Sequence, residues 1–152
     1  MQAALISHYN APATGVPVID ILHHQVDDAL HAALISDDYA FLPRFHALVA
    51  VLESTFATEE SWMEEIDYPA IRSHREQHGR VLSGMHHVHC SLMTGNIDDA
   101  RKVVACLLPD WLELHAATLD TALAMYMQVS GMPQLESPLP AGQFLASTEL
   151  RQ

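Results

Sequence analysis

The sequence predicts an all-α fold: an up-down-up-down four-helix bundle over residues 18–130, with an arm over 1–17 and an irregular tail over 131–152. Three observations support it. Apolar residues recur every three to four positions in four separate stretches, short breaker segments divide those stretches, and no alternating run bounded by an Asn-Gly or Asp-Gly turn suggests a hairpin. At 152 residues the chain suits one domain with a core of its own.

Each element has its own signal. Pro12, Gly15 and Pro17 make the first stretch an extended arm, because proline disfavours helix in the residue before it. The first stripe is Ile19, His23, Val26, Leu30 and Leu34, with Leu22 alongside, and it ends at the turn and capping cluster Ser36-Asp37-Asp38. The second runs Phe41, Phe45, Leu48, Leu52, Thr55, Glu59 and Met63, tolerates Pro43 in its first turn, and breaks at Asp67-Tyr68-Pro69. The third carries Ile71, His74, His78, Val81, Met85 and Leu92, closed by Thr94-Gly95-Asn96. Asp98 is placed to cap the fourth, which carries Val104, Leu107, Leu108, Trp111, His115, Leu119 and Ala122. Pro109 is expected to kink that helix just before Trp111.

The formal net charge is −12 with histidines neutral, which repels phosphate backbones and anionic lipid heads, so no nucleic acid or membrane partner is expected. No apolar run approaches the roughly 20 residues that span a bilayer. MQAALISHYN lacks the charged start, apolar stretch and cleavage site of a secretion signal, and a cytoplasmic setting is expected. Cys90 and Cys106 have neither metal-type nor redox-type spacing. Histidine is the unusual residue, with 11 copies against 7 Lys and Arg.

Several of those histidines interrupt apolar stripes, where an unpaired imidazole or carboxylate is costly. His74 and His78 are four apart and project the same way from successive turns. Such a pair is more often a surface feature, and His115 alone more often a core histidine bonded to a neighbour. Glu59, in an otherwise apolar stripe, is the strongest single anomaly. Asp120 lies about 140° round from His115 on an ideal helix, so the two share no single stripe. Antiparallel neighbours nonetheless bring His23, Glu59, His74 and His115 to one end of the bundle, a set of imidazoles and carboxylates without thiolate that suits iron, manganese or zinc. No Glu-x-x-His pair supports a ferritin-like site, and no His-Glu-x-x-His supports a zincin.

The order of pieces resembles the hemerythrin family, particularly bacterial hemerythrins, over roughly Gly15 to Leu123. The pieces are Gly15-Val16-Pro17-Val18-Ile19-Asp20-Ile21-Leu22-His23, Phe56-Ala57-Thr58-Glu59-Glu60-Ser61-Trp62-Met63, Tyr68-Pro69, His74-x-x-x-His78 and Trp111-Leu112-x-x-His115 with Asp120. The resemblance implies a non-haem centre of two iron ions, bridged by an oxo or hydroxo group, that binds or senses O₂ or a related small ligand such as NO or peroxide. It makes His74, His78 and His115 the imidazoles of one iron, His23 a ligand of the other, and Glu59 and Asp120 the bridging carboxylates. Thr55, Phe56, Trp111 and Leu112 would surround the bound ligand, with Met63 extending the apolar wall. His8 falls near the place of an N-terminal family tryptophan.

Three family positions differ: the family usually has a larger aliphatic residue where Ala116 stands and glutamine where Leu22 stands, and the third departure bears on the metals. A histidine normally precedes the Phe-x-x-Glu-Glu segment, and here Thr55 stands there. Either both irons bind, the second with an open or water-filled position, or the second site is weak and a single metal sits on His74, His78 and His115. An O₂-binding or sensing module, an oxidase or peroxidase working through the open position, and a single-metal storage or structural bundle all follow from that pattern. A helical interaction module with incidental histidines predicts no tight metal.

Overall fold

A computed structural model describes Tyr9 and residues 11–131; most of the expected tail, and His8, lie outside the described residues. Four helices and no strand are found among them, the all-α bundle expected from the periodicity. The first three are α1 (Pro17–Leu34), α2 (Asp38–Glu65) and α3 (Ile71–Met93). The fourth is a run of α4 (Ile97–Lys102), a π turn at Val103–Leu107, α5 (Leu108–His115), a second π turn at Ala116–Asp120, and α6 (Thr121–Val129).

Local chemistry explains the boundaries. Pro17 occupies the first turn of α1, where its missing N–H costs nothing. The Thr14 backbone N–H and hydroxyl both donate to Asp20 Oδ1 at 2.8 Å, tying the arm to the helix. Between them Gly15 turns at φ +78, a conformation that disfavours any side chain. Asp37 caps α2 by accepting from the Ala40 N–H. Gly95 at φ +95 ends α3 with its N–H on the Leu92 carbonyl, a left-handed C-terminal stop.

Two expectations for the fourth helix change. Asn96, two residues before Asp98, is the cap, its side chain accepting from the Asp99 N–H. Pro109 does not simply kink the rod. The turn before it widens to the π form, with the Leu108 N–H on the Val103 carbonyl, which absorbs the bond and the space that proline removes.

The apolar interior falls into two clusters. The larger contains Val26, Leu30, Phe41, Phe45, Leu48, Leu52, Phe56, Met85, Val104 and Leu112. The smaller contains Ile19, Leu22, Trp62, Met63, Tyr68, Leu123, Ala124 and Met127. Along α1, α2 and the fourth helix, buried polar residues fall between the members of the two clusters: His23, then Glu59, then His115 and Asp120, with buried Thr55 one turn before Glu59. The polar layer is therefore internal to the bundle, with oil on both sides. Among the described residues, no helix is long and apolar enough to cross a membrane.

Candidate metal centre

The layer contains seven polar residues, each nine-tenths or more buried: His23, Thr55, Glu59, His74, His78, His115 and Asp120. Glu59, His74, His78, His115 and Asp120 each present one donor atom, and these five atoms all lie within 4.8 Å of one another. His74 and His78 come from successive turns of α3, as their spacing predicts. Their Nε2 atoms stand 3.1 and 3.2 Å from Nε2 of His115. Oδ1 of Asp120 is 3.1 Å from Nε2 of both His74 and His115, and Oε2 of Glu59 is 3.1 Å from Nε2 of His78.

The meeting of His115 and Asp120 corrects the helical-wheel reading. The second π turn spans Ala116–Asp120, and the Thr121 N–H reaches back five residues to the Ala116 carbonyl. That extra residue per turn returns Asp120 to the face of His115, so the two share one site. Thr121 Oγ1 also donates to the Ala116 carbonyl at 2.8 Å, supporting the widened turn.

His23 joins from the other side. Its Nε2 is 2.9 Å from Oδ2 of Asp120, so Asp120 stands between His23 and the imidazoles of His74 and His115, with one oxygen toward each side. Thr55 lies buried one turn of α2 before Glu59. Phe56 and Trp111 pack on the imidazoles: Phe56 stacks on His78 with centroids 4.0 Å apart, and Trp111 on His115 at 4.5 Å. They wall the three-imidazole side. Leu112 lies in the larger apolar cluster with Phe56, and Met63 in the smaller one across the polar layer.

Two participants do not follow from the sequence: Glu60, which helical geometry points to a different face from the site, and Tyr9, which no motif marks. Glu60 follows Glu59 and faces away from the donor group, yet its Oε1 accepts from Nδ1 of His78 at 3.0 Å, while Arg75 Nε holds its other oxygen at 3.2 Å. A proton fixed on Nδ1 leaves the Nε2 lone pair of His78 for a cation. Tyr9, next to the residue singled out in the arm, is buried at 4% exposure. Burial raises its phenol, and the charges of Asp120, Glu59, Asp27 and Glu113 raise it further. Glu60 carries no signal beyond its place next to Glu59, and nothing in the arm's composition marks Tyr9.

The electrostatics are those of a site awaiting positive charge. Burial alone would lower His74, but its contacts with Asp120 and Glu59 outweigh that and lift it to about 9. The same balance, dominated by Asp120, raises His23. Burial opposes ionisation of Asp120, yet His115, His23 and His74 hold its carboxyl well below the usual range.

The donors fit a metal ion. A ring nitrogen carries either one proton or one lone pair, yet His115 Nε2 faces two other Nε2 atoms and a carboxylate oxygen. Oε2 of Glu59 and Oδ1 of Asp120 are buried without an aligned hydrogen bond, close to imidazole nitrogens but badly angled for them. Protons cannot satisfy this arrangement as a cation can. The closest donors stand 3.1–3.2 Å apart and His74 and Glu59 3.7 Å apart, near enough for one ion to be shared among them. Nδ1 of His23, His74 and His115 has no partner among the described residues, and of the four imidazoles only that of His78 is held from behind, by Glu60.

An open groove of about 410 Å³ runs between α3 and the fourth helix, lined by Val81, Gly84, Met85, Leu108 and Trp111 among others. Through Trp111 it abuts the ring of His115.

The chain is similar to a bacteriohemerythrin of Ralstonia nicotianae, 27% identical over 117 residues, which covers 77% of this chain and 85% of that protein. No family model and no solved structure matches it. The likeness, the helical bundle and the buried His/Glu/Asp group together support a hemerythrin-like family and a metal-binding bundle.

Proposed function

We propose that this hemerythrin-like bundle is a non-haem di-iron protein that binds or senses O₂, or a related small ligand such as NO or peroxide. The observation that carries the reading is Asp120, whose two oxygens serve opposite neighbours: Oδ1 the imidazoles of His74 and His115, Oδ2 that of His23. A carboxylate engaged on both oxygens is what a bridge between two ions requires. His74, His78 and His115 would hold one iron, His23 the other, and Glu59 and Asp120 would span both. When bound, the irons would supply electron exchange with O₂.

The chain's own contribution is orientation and dryness. Glu60 fixes the tautomer of His78, Phe56 and Trp111 clamp the rings of His78 and His115, and the two apolar clusters exclude bulk water above and below. Thr55 replaces an imidazole with a neutral hydroxyl, which can hydrogen-bond water or a small ligand. The test is anaerobic iron reconstitution followed by air. Two irons per chain and new near-ultraviolet and visible absorption bands are expected; full iron loading with no spectral response to oxygen would overturn the reading.

One observation favours a second reading. The five converging donors do not include His23, and Thr55 stands where the resemblance to the family places another imidazole. A single ion on His74, His78, His115 and a carboxylate would satisfy that cluster, and one metal per chain under saturating iron would select it.

A further inference from the structure

A second set of histidines lies outside the buried centre. On the outer face of α2, His46 and Glu53 are seven residues apart, on one stripe. On α3, His86 and His89 are three apart, also on one face. The two stripes meet: Nε2 of His46 contacts Nε2 of His89, their rings edge to face with centroids 4.4 Å apart. Beside them, His86 Nε2 is 2.9 Å from Glu53 Oε1. The ring of Phe45 lies near-parallel to that of His89, at 6.4 Å between centroids, and backs it in place.

We propose that this seam is a separate surface site for one divalent transition-metal ion, held by His46 and His89, with the His86–Glu53 pair supporting it. Two nitrogens brought head to head from different helices can share at most one proton, in a place where water competes for both. A borderline-soft cation satisfies both lone pairs at once, and zinc, copper(II) and nickel are the ions that favour imidazole. His46 is exposed and His89 half-buried, so an ion has access. The net charge of −12 draws cations to the surface. His87 is excluded, since it points about 100° away from His86. Occupancy would pin α2 to α3, the helices that carry Glu59 and the His74–His78 pair.

The experiment is a copper(II) titration of the tag-free full chain, metal-free and iron-loaded, read by calorimetry and by electron paramagnetic resonance for coupled nitrogens. Beyond what the buried centre takes up, one equivalent is expected that disappears in His46→Ala and in His89→Gln and is unaffected by Cys90→Ser. Because the comparison is between surface variants of equal helicity, it reads this seam whatever the buried centre holds. Equal stoichiometry and affinity in wild type, His46→Ala and His89→Gln would overturn the proposal.

Discussion

Asp120 follows His115 by five residues, and its Oδ1 nonetheless lies 3.1 Å from the Nε2 of His115. The π turn between them makes the contact, and it places the single acid that touches His23, His74 and His115 together. Asp120→Asn keeps the shape and removes the charge. With three imidazoles around an uncharged amide, the metal-free protein should lose about 3–5 kcal/mol, the usual cost of breaking a buried ion pair on one side. Urea unfolding measures this, and metal analysis after reconstitution should show the ion lost as well.

Glu60 provides a cleaner test of orientation. Its contacts with Arg75 are surface pairs worth little. Its bond to His78 acts behind a ligand ring. Glu60→Gln should therefore leave the unfolding free energy within about 0.5 kcal/mol of wild type and weaken metal binding about 10- to 100-fold. Competition against a chelator reads the affinity; an unchanged value would mean that His78 is held by packing on Phe56 alone.

Metal uptake should expel protons. In the metal-free protein His74 is raised from 6.5 to about 9, so it is charged at neutral pH. That shift stabilises the fold fully below pH 6.5 and is lost as pH rises through 9, so the metal-free bundle should weaken over that window. An incoming cation must displace the proton, and its apparent affinity should climb with pH to about 9. Calorimetry in buffers of different ionisation enthalpy should report net proton release near pH 7. Asp120 contributes in the opposite sense: its stabilisation is present above the ordinary carboxylate range and lost only as pH falls through its lowered value.

Thr55→His separates the readings of the second ion. If His23 and the carboxylates hold an iron beside Thr55, an added imidazole should tighten the second equivalent and improve reversible O₂ binding. It should also suppress any turnover of peroxide or reductant that an open position allows. Identical metal isotherms and turnover in both proteins would exclude an ion at that position.

The groove beside Trp111 offers a test of access. A Cβ at Gly84 meets no atom within 4 Å, so a side chain there projects into open space. Gly84→Leu should raise helix propensity by several tenths of a kcal/mol and slow ligand exchange without altering metal content. Stopped-flow binding of azide or NO to the loaded protein measures it.

Helix positions, their breakers and the misplaced polar residues were all readable along the chain, because amphipathic period and burial cost are properties of local sequence. Glu59 among leucines and phenylalanines, and histidines at four-residue spacing, announce an interior that needs a cation. What needed three dimensions was the detail that depends on departures from ideal geometry or on neighbours distant in the chain. A wheel of 3.6 residues separates His115 from Asp120, and only the widened turn after His115 reunites them. Glu60 reads as an outward surface acid until α3 lays His78 against it, and Tyr9 as part of a loose arm until the bundle closes over its ring. Packing chooses such contacts after the helices exist, since a backbone turn can widen and a side chain can reach across for less free energy than leaving a buried charge alone.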